Sequence, residues 1–129
     1  MSALSEKYHV LYPDGRITLE EIPRDQMLDR MYEIIDCDMI ERVVSWMPNV
    51  YLVIDESGRI KHPPKEHNRY ASLLYMGWHV GMDDIVGTVI LCSEAYFGPW
   101  HEPDFVPLTP EALATLRIYF GDAVTWVAE

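Results

Sequence analysis

The sequence predicts an α+β domain, with a mostly antiparallel sheet of about five to six strands and two to three helices packed on it. Three observations predict this class. Runs of β-branched and aromatic residues recur between turn residues, a helical spacing of apolar side chains follows the second run, and a Thr-Pro-Glu sequence begins a further helix near the end. Because 129 residues suit one domain of ordinary size, we expect a single domain over residues 1–129.

A β-hairpin is predicted at the start of the chain. Residues 8–12 are rich in strand-forming side chains, and residues 16–22 alternate between polar and apolar until Ile22 breaks the phase. The pair Asp14 and Gly15 between these runs is typical of a hairpin turn.

A helix and two strands follow. The helix is expected from Asp25 to Asp36, and its apolar side chains at helical spacing are Met27, Leu28, Met31, Tyr32 and Ile35. Residues 39–46 and 50–54 are predicted as strands joined by a tight turn, because both runs are rich in β-branched and aromatic residues.

An acidic turn and a short helix occupy the middle of the chain. The turn is predicted at residues 55–59, with Gly58 supplying a positive φ, and a short strand at 59–61 is expected after it. Asn68 is predicted to cap a short helix that reaches Tyr75, since asparagine is a favoured N-cap residue.

The last third of the sequence predicts a central strand, a loop, a helix and an edge strand. Residues 86–92 form a nearly continuous apolar run, which favours a central strand, and residues 93–107 are predicted as a long irregular loop. A helix is expected from Thr109 to Gly121, and residues 123–128 are predicted as the edge strand. The apolar stripe of that helix is expected to comprise Leu113, Leu116, Tyr119 and Phe120.

The charge of the chain restricts its partners. Ten Lys and Arg residues stand against 21 Asp and Glu residues, which gives a formal net charge of -11. We therefore expect no direct nucleic-acid binding and no docking on an anionic membrane, because both need a basic face. A cationic partner, or imitation of a nucleic-acid backbone, fits the charge better. No apolar run approaches the ~20 residues of a membrane span, and the first residues lack a signal core, so we expect a cytoplasmic protein.

No metal, cofactor or catalytic chemistry is predicted. The loop histidines lack the compact spacing of known metal motifs; they are His62, His67, His79 and His101. Ser72 has no Gly-x-Ser-x-Gly elbow around it, and Cys92 ends an apolar strand. Cys37 and Cys92 are expected to be free, buried or half-buried thiols. An enzyme would need the loop histidines to converge on one site.

Several short motifs occur in a recognisable order. They are Ile-Glu-Arg-Val-Val at 40–44, the strand and acidic turn at 51–61, the residues Pro64, Asn68, Ala71, Ser72 and Tyr75, the run at 84–91, and Phe-Val-Pro-Leu-Thr at 105–109. In this order, from about residue 19 to 120, the chain resembles a family of small phage, prophage and plasmid proteins known as a domain of unknown function (number 3846). The chain departs from the family at Asp36-Cys37-Asp38, where glycines are frequent, and in longer loops at 78–83 and 96–104. The resemblance implies a mobile-element setting, hence the host cytoplasm, and no particular activity.

The candidate contact residues fall in two groups. Asn68, Arg69, Ser72 and Tyr75 form a polar cluster on the short helix, and Arg69 or Lys65 could meet an anion. The structural interpretation, which we favour, is that Asn68 caps the helix while Ala71 and Leu74 pack on the sheet. The second group is a set of loop aromatics that could form a platform for a protein partner or a base, or could equally pack against the fold: Trp78, Tyr96, Phe97, Trp100 and Phe105.

Three hypotheses for function follow. The first is a non-enzymatic phage or mobile-element accessory protein that binds a host protein or modulates host defence, with its surface at loops 78–83 and 96–104. The second is a protein that binds or sequesters a small ligand such as a nucleotide signal, with a homodimer as one way to form the pocket. The third is an acidic nucleic-acid mimic with carboxylates at phosphate-like spacing.

Overall fold

The computed structural model describes residues 5–61, 63–75, 84–95 and 104–127, apart from the side chain of Arg59. These residues form a seven-stranded, mostly antiparallel sheet with three α-helices, which confirms the predicted α+β class. The strands are β1 (Ser5–Leu11), β2 (Arg16–Pro23), β3 (Ile40–Val44), β4 (Tyr51–Asp55), β5 (Val89–Ala95), β6 (Asp104–Val106) and β7 (Thr125–Trp126). The helices are α1 (Met27–Ile35), α2 (Arg69–Leu74) and α3 (Pro110–Phe120).

The strand order is β3-β4-β5-β1-β2-β7, and β6 pairs with the far end of β5. The predicted hairpin is confirmed as the β1–β2 pair, with Gly15 at a φ of +90° in its turn. The prediction that β5 is central is also confirmed, because it pairs with both β4 and β1. The last strand lies at the edge as expected, although it is shorter than predicted and runs parallel to β2.

Both faces of the sheet are buried. One face packs against α2 and α3, and its core includes Leu11, Ile17, Leu52, Leu74, Leu91, Leu116 and Phe120. The other face packs against α1, and its core includes Tyr8, Val10, Ile22, Met31, Ile35, Val53 and Ile90. Ile22 interrupts the polar–apolar pattern of β2 because the strand is buried on both faces. Ile17 is buried on the face of α2 and α3, whereas Ile22 is buried on the α1 face. The near-continuous apolar strands follow from this two-sided burial.

Two segments differ from the sequence prediction. The strand expected at 59–61 is wrong, since Gly58–Ile60 forms a single 3-10 turn. Gly58 is not among the residues with positive φ; a side chain there would place its Cβ 2.9 Å from Val86 Cγ2, so close approach explains the glycine. The loop expected at 93–107 is partly wrong, because Ser93–Ala95 extends β5 and pairs with β6.

The helices differ in detail from the predicted stripes. A 3-10 turn over Arg24–Gln26 precedes α1, and Leu28 is exposed instead of buried. Tyr119, expected in the buried stripe of α3, is 42% exposed, and Ala112 takes a buried position on that helix. The end of α3 at Gly121 is confirmed. Within the described ranges, no helix is long and apolar enough to cross a membrane.

The two cysteines are free thiols, as predicted. Cys92 lies in the core of the α1 face, where burial raises the pKa of its thiol to about 12. A thiol with this pKa is a poor nucleophile near neutral pH, because the thiolate is the reactive form.

Candidate functional site

Asn68 links three parts of the fold. Its side-chain oxygen accepts a hydrogen bond from the Ala71 N–H at 3.0 Å, which confirms the predicted N-cap of α2. Its Nδ2 donates to the carbonyl oxygens of Leu11 at 3.1 Å and Gly87 at 2.9 Å. Because the residue is fully buried and its side chain makes these three hydrogen bonds, it holds α2 against β1 and against the residues that precede β5.

Ser72, His67 and Asp84 lie together beside α2, but their geometry is not that of a hydrolytic triad. His67 Nε2 lies 3.4 Å from Ser72 Oγ and 3.1 Å from Asp84 Oδ2, so one ring nitrogen faces both partners. A triad uses opposite ring nitrogens for the nucleophile and the carboxylate. Ser72 Oγ also donates to the Asn68 carbonyl at 2.8 Å and accepts from the Ile85 N–H at 3.0 Å, so its hydroxyl supports the backbone.

Lys65 fixes the end of α1. Its Nζ donates to the carbonyl oxygens of Ile35 at 2.6 Å and Asp36 at 2.7 Å, and lies 2.9 Å from Asp55 Oδ2. These three acceptors match the three donors of a lysine ammonium. Lys65, a predicted anion contact, is thus placed in a cluster that joins α1 to β4.

Asp55 is the buried anion of this cluster. Its carboxylate also meets Lys61 Nζ at 2.5 Å and accepts from the Ser57 N–H at 3.0 Å. Burial alone would raise the pKa of Asp55, but the hydrogen bonds from Lys61, Lys65 and Ser57 outweigh it and lower that pKa. Within the described parts of the chain, no three His, Cys, Asp or Glu side chains are placed to hold a metal ion; His62, His79 and His101 lie outside those parts.

Arg69 is the predicted contact residue of α2 that faces solvent. Its guanidinium lies 5.3 Å from the centre of the Tyr70 ring. It lines a cavity of about 360 Å³ with His67, Ser72, Leu73 and Asp84. The Asp84 carboxylate in this lining would repel a phosphate group, so the cavity is not a uniformly basic anion site.

An exposed aromatic contact lies next to this cavity. Trp46 Nε1 donates to the carbonyl oxygen of Leu73 at 2.8 Å, and the Trp46 N–H donates to the Leu74 carbonyl at 3.1 Å. The Trp46 ring packs edge-on against Tyr119, with ring centres 5.0 Å apart and an interplanar angle of 76°. Trp46 is held on two sides and is still 38% exposed.

The outward side of α3 continues this contact. Ile118 is 85% exposed, and Ala114 and Thr115 are also exposed on the helix. Thr115 lies one turn before both Ile118 and Tyr119, so it connects them on the helix surface. We call this continuous area the α3 surface, and its members are Trp46, Leu73, Ala114, Thr115, Ile118 and Tyr119.

Sequence reasoning missed the α3 surface, although one indication was present. The eleven residues of α3 include two charged side chains, Glu111 and Arg117, which is too few to cover a solvent-facing side. Trp46 gave no such indication, because its neighbours Leu73 and Tyr119 are distant in sequence.

The predicted loop aromatics Trp78, Tyr96, Phe97 and Trp100 lie outside the described residues. The described residues that flank 76–83 border the cavity and the α3 surface. Tyr75 pairs with Ser45, next to Trp46, and Asp84 meets His67.

Comparison with known proteins gives one result. The model of the family described as Domain of unknown function (DUF3846) matches residues 7–121. No curated protein and no solved structure matches the chain. Because the family description names no activity, the function has to be argued from the surface of the molecule.

Proposed function

We propose that this chain, which belongs to the family described as Domain of unknown function (DUF3846), is a non-enzymatic binding protein that captures a protein partner through the α3 surface. In the mobile-element setting that the sequence resemblance implies, the partner is a host protein and capture modulates host defence. The observation that carries the proposal is the continuous exposed area formed by Trp46, Tyr119 and Ile118.

The composition of the α3 surface supports the proposal. Tryptophan and tyrosine supply much of the binding energy of protein interfaces, because they bury a large area with few rotatable bonds. The hydrogen bond from Trp46 to Leu73 and the edge-on contact with Tyr119 hold these rings before a partner arrives. Binding then costs less side-chain entropy than it would with mobile rings.

The polar residues support binding over catalysis. Hydrogen bonds to other groups of the fold engage the side-chain donors of Asn68, Ser72 and Lys65. These bonds explain the positions of the three side chains without a substrate. The Cys92 thiol is buried and has a raised pKa. Ile118 of the α3 surface, by contrast, is 85% exposed, so its side chain adds little to the packing of the described residues.

The test is capture of a host protein by the wild type and by two matched variants. Ile118→Glu places a charge in the middle of the α3 surface, and we expect it to abolish capture. Ile60→Glu makes the same change at an isoleucine that is 76% exposed on a 3-10 turn elsewhere, and we expect it to capture the partner normally. Because both positions are exposed, each variant should unfold within about 0.5 kcal/mol of the wild type.

The readout is affinity purification from the host lysate, followed by identification of the retained protein by mass spectrometry. A partner retained equally by the wild type and by Ile118→Glu would exclude the α3 surface as its site. A partner lost from both variants would point to a general effect of added charge, and would equally contradict the proposal.

A further inference from the structure

We infer that residues 125–127 form a strap over His9 that opens locally on acidification, ahead of global unfolding, and so lets His9 take up a proton. This inference does not depend on the proposed function. It rests on three features of one edge of the sheet: a histidine with almost no exposed surface, a two-residue strand that covers it, and a cation beside both.

His9 lies inside the sheet, on the face of α2 and α3. It pairs with Leu19 of β2 and with Leu91 of β5. Its side chain points to the same face as that of Leu11, two residues further along β1, because side chains alternate along a strand. Only 6% of the residue is exposed. Both strand neighbours are apolar, so neither stabilises a charged imidazole.

Trp126 of β7 covers this side chain. It pairs with Ile17 and packs against the core on the face of α2 and α3. The indole and the imidazole meet edge-on, with ring centres 6.4 Å apart and an interplanar angle of 78°. A movement of the strap away from β2 would therefore admit water to His9.

The attachment of the strap is short. Among the described residues, its pairing with β2 extends over two positions. The Thr125 N–H donates to the Gly15 carbonyl oxygen at 2.8 Å, and the Val127 N–H donates to the Ile17 carbonyl oxygen at 2.9 Å. Val124, which is 5% exposed in the core, is the fixed end of the strap. Segments with few buried contacts open at a lower free energy than the centre of a sheet.

A positive charge lies beside the covered histidine. The Arg117 guanidinium of α3 stacks over the Trp126 ring at 4.4 Å. Burial first, and then this charge, lower the pKa of His9 from 6.5 to about 4. Among the described residues, Arg117 is the charged group that acts on His9, since the neighbours on β2, β5 and β7 named above carry no charge. A proton on His9 is thus unfavourable while the strap is closed.

Opening of the strap and proton uptake are therefore coupled. While the strap is closed, His9 binds a proton only near pH 4, whereas in the open state water surrounds the imidazole and its pKa approaches 6.5. Between these pH values the open state binds more protons than the closed state, so a falling pH favours opening. The opening constant should rise about twentyfold from pH 7 to pH 5.

The test is hydrogen exchange of the strap amides, followed by NMR at pH 7 and at pH 5. The Thr125 and Val127 amides are the probes, because both are bonded to carbonyl oxygens next to or within β2. After correction for the intrinsic exchange rates, we expect their protection to fall about twentyfold. The measurement is repeated at low urea concentrations. Local opening exposes little surface and should respond weakly to urea, whereas global unfolding responds strongly.

Three variants locate the proton. His9→Gln should remove most of the pH dependence of strap protection. His67→Gln changes an exposed histidine beside α2, and we expect it to keep that dependence. Trp126→Ala removes the cover, so the pKa of His9, followed by the NMR shifts of its ring protons, should move from about 4 towards 6.5. This titration keeps His9 in place, so it tests the strap even if His9→Gln does not fold.

Three outcomes would overturn the inference. If the strap amides depended on urea as strongly as amides in the centre of β5, His9 would take up its proton only in global unfolding. If the strap opened locally but equally often at pH 7 and at pH 5, its opening would not expose His9. A His9 pKa that stayed at about 4 in Trp126→Ala would show that the strap does not bury the imidazole.

Discussion

Asn68 is the residue on which the packing of α2 depends most. Replacing it with alanine removes the N-cap and leaves the carbonyl oxygens of Leu11 and Gly87 without their side-chain donor in the core. We expect Asn68→Ala to lower the free energy of unfolding by about 3 kcal/mol, because buried unsatisfied groups cost more than a lost cap. Urea unfolding of the purified protein measures this loss.

Thr109→Ala is the matched comparison for Asn68. Thr109 Oγ1 accepts from the Ala112 N–H at 3.2 Å and caps α3, and among the described residues its hydroxyl makes no buried donor contact like those of Asn68. Its loss should cost about 1 kcal/mol, the usual value of an N-cap. Equal losses at the two positions would mean that the bonds to Leu11 and Gly87 add no stability.

The sequence predicted the cap at Asn68 but not its wider role. An asparagine before a helical run is a local pattern, and local patterns are visible in a sequence. The bonds to Leu11 and Gly87 join residues that are 57 and 19 positions away, so they depend on the completed sheet. Lys65 shows the same limit, because a lysine available to an anion was expected and a helix-ending contact with the Ile35 carbonyl oxygen was found.

At the scale of elements, the end of α1 depends on Lys65. The helix ends at Asp36, a non-glycine residue at a φ of +61°, and Lys65 binds the carbonyl oxygens of Ile35 and Asp36 there. Gly87 allows this approach, since a Cβ at that position would lie 2.8 Å from Lys65 Cδ. One side chain therefore joins α1, the strand that ends at Asp55 and the approach to β5.

Lys65→Met should destabilise the protein by about 2 kcal/mol, because it removes a buried charge partner and two carbonyl contacts while it keeps the aliphatic stem. Lys7→Met is the control, since Lys7 is exposed on β1, and a change within about 0.5 kcal/mol is expected there. Urea unfolding of both variants gives the comparison. If Lys65→Met were as stable as Lys7→Met, the cluster around Asp55 would not hold α1 in place.

Element boundaries were predictable where turn residues mark them, as at Gly15, Thr109 and Gly121. The extension of β5 was not, because Ser93 and Glu94 end the apolar run that indicated a strand. Those residues stay in the sheet through pairing with β6 and through the 2.7 Å bond from Ser93 Oγ to the Asn49 carbonyl oxygen. Contacts between residues so far apart in the sequence cannot be predicted from hydrophobic periodicity.

At the scale of the whole molecule, the net charge of the chain carries no information on where a partner would bind. The net charge of -11 indicated a cationic partner. The α3 surface, however, is assembled from the end of β3, from α2 and from α3, and only packing on one face of the sheet brings Trp46, Leu73 and Tyr119 together. The net charge is a sum over all residues of the chain, whereas the position of a surface depends on how the elements pack.

Burial on both faces of the sheet also places a titratable group inside the protein. His9 of β1 is buried beside Trp126, with ring centres 6.4 Å apart. Burial, and then the positive charge of Arg117, lower the pKa of His9 from 6.5 to about 4. Between these values the unfolded chain binds a proton that the folded chain does not, so stability must fall as the pH falls from 6.5 towards 4. The full effect is on the order of 3 kcal/mol.

The measurement is the free energy of unfolding in urea at several pH values from 7 to 4, for the wild type and for His9→Gln. Glutamine has similar polarity and takes up no proton, so the difference between the two proteins should shrink or reverse as the pH falls through this window. Asp55 does not affect this difference, because both proteins carry it; its lowered pKa means that its stabilising contribution is lost as the pH falls through its ordinary value of 3.8 and below. A constant difference between the two proteins from pH 7 to pH 4 would show that His9 takes up its proton as readily in the folded chain as in the unfolded one.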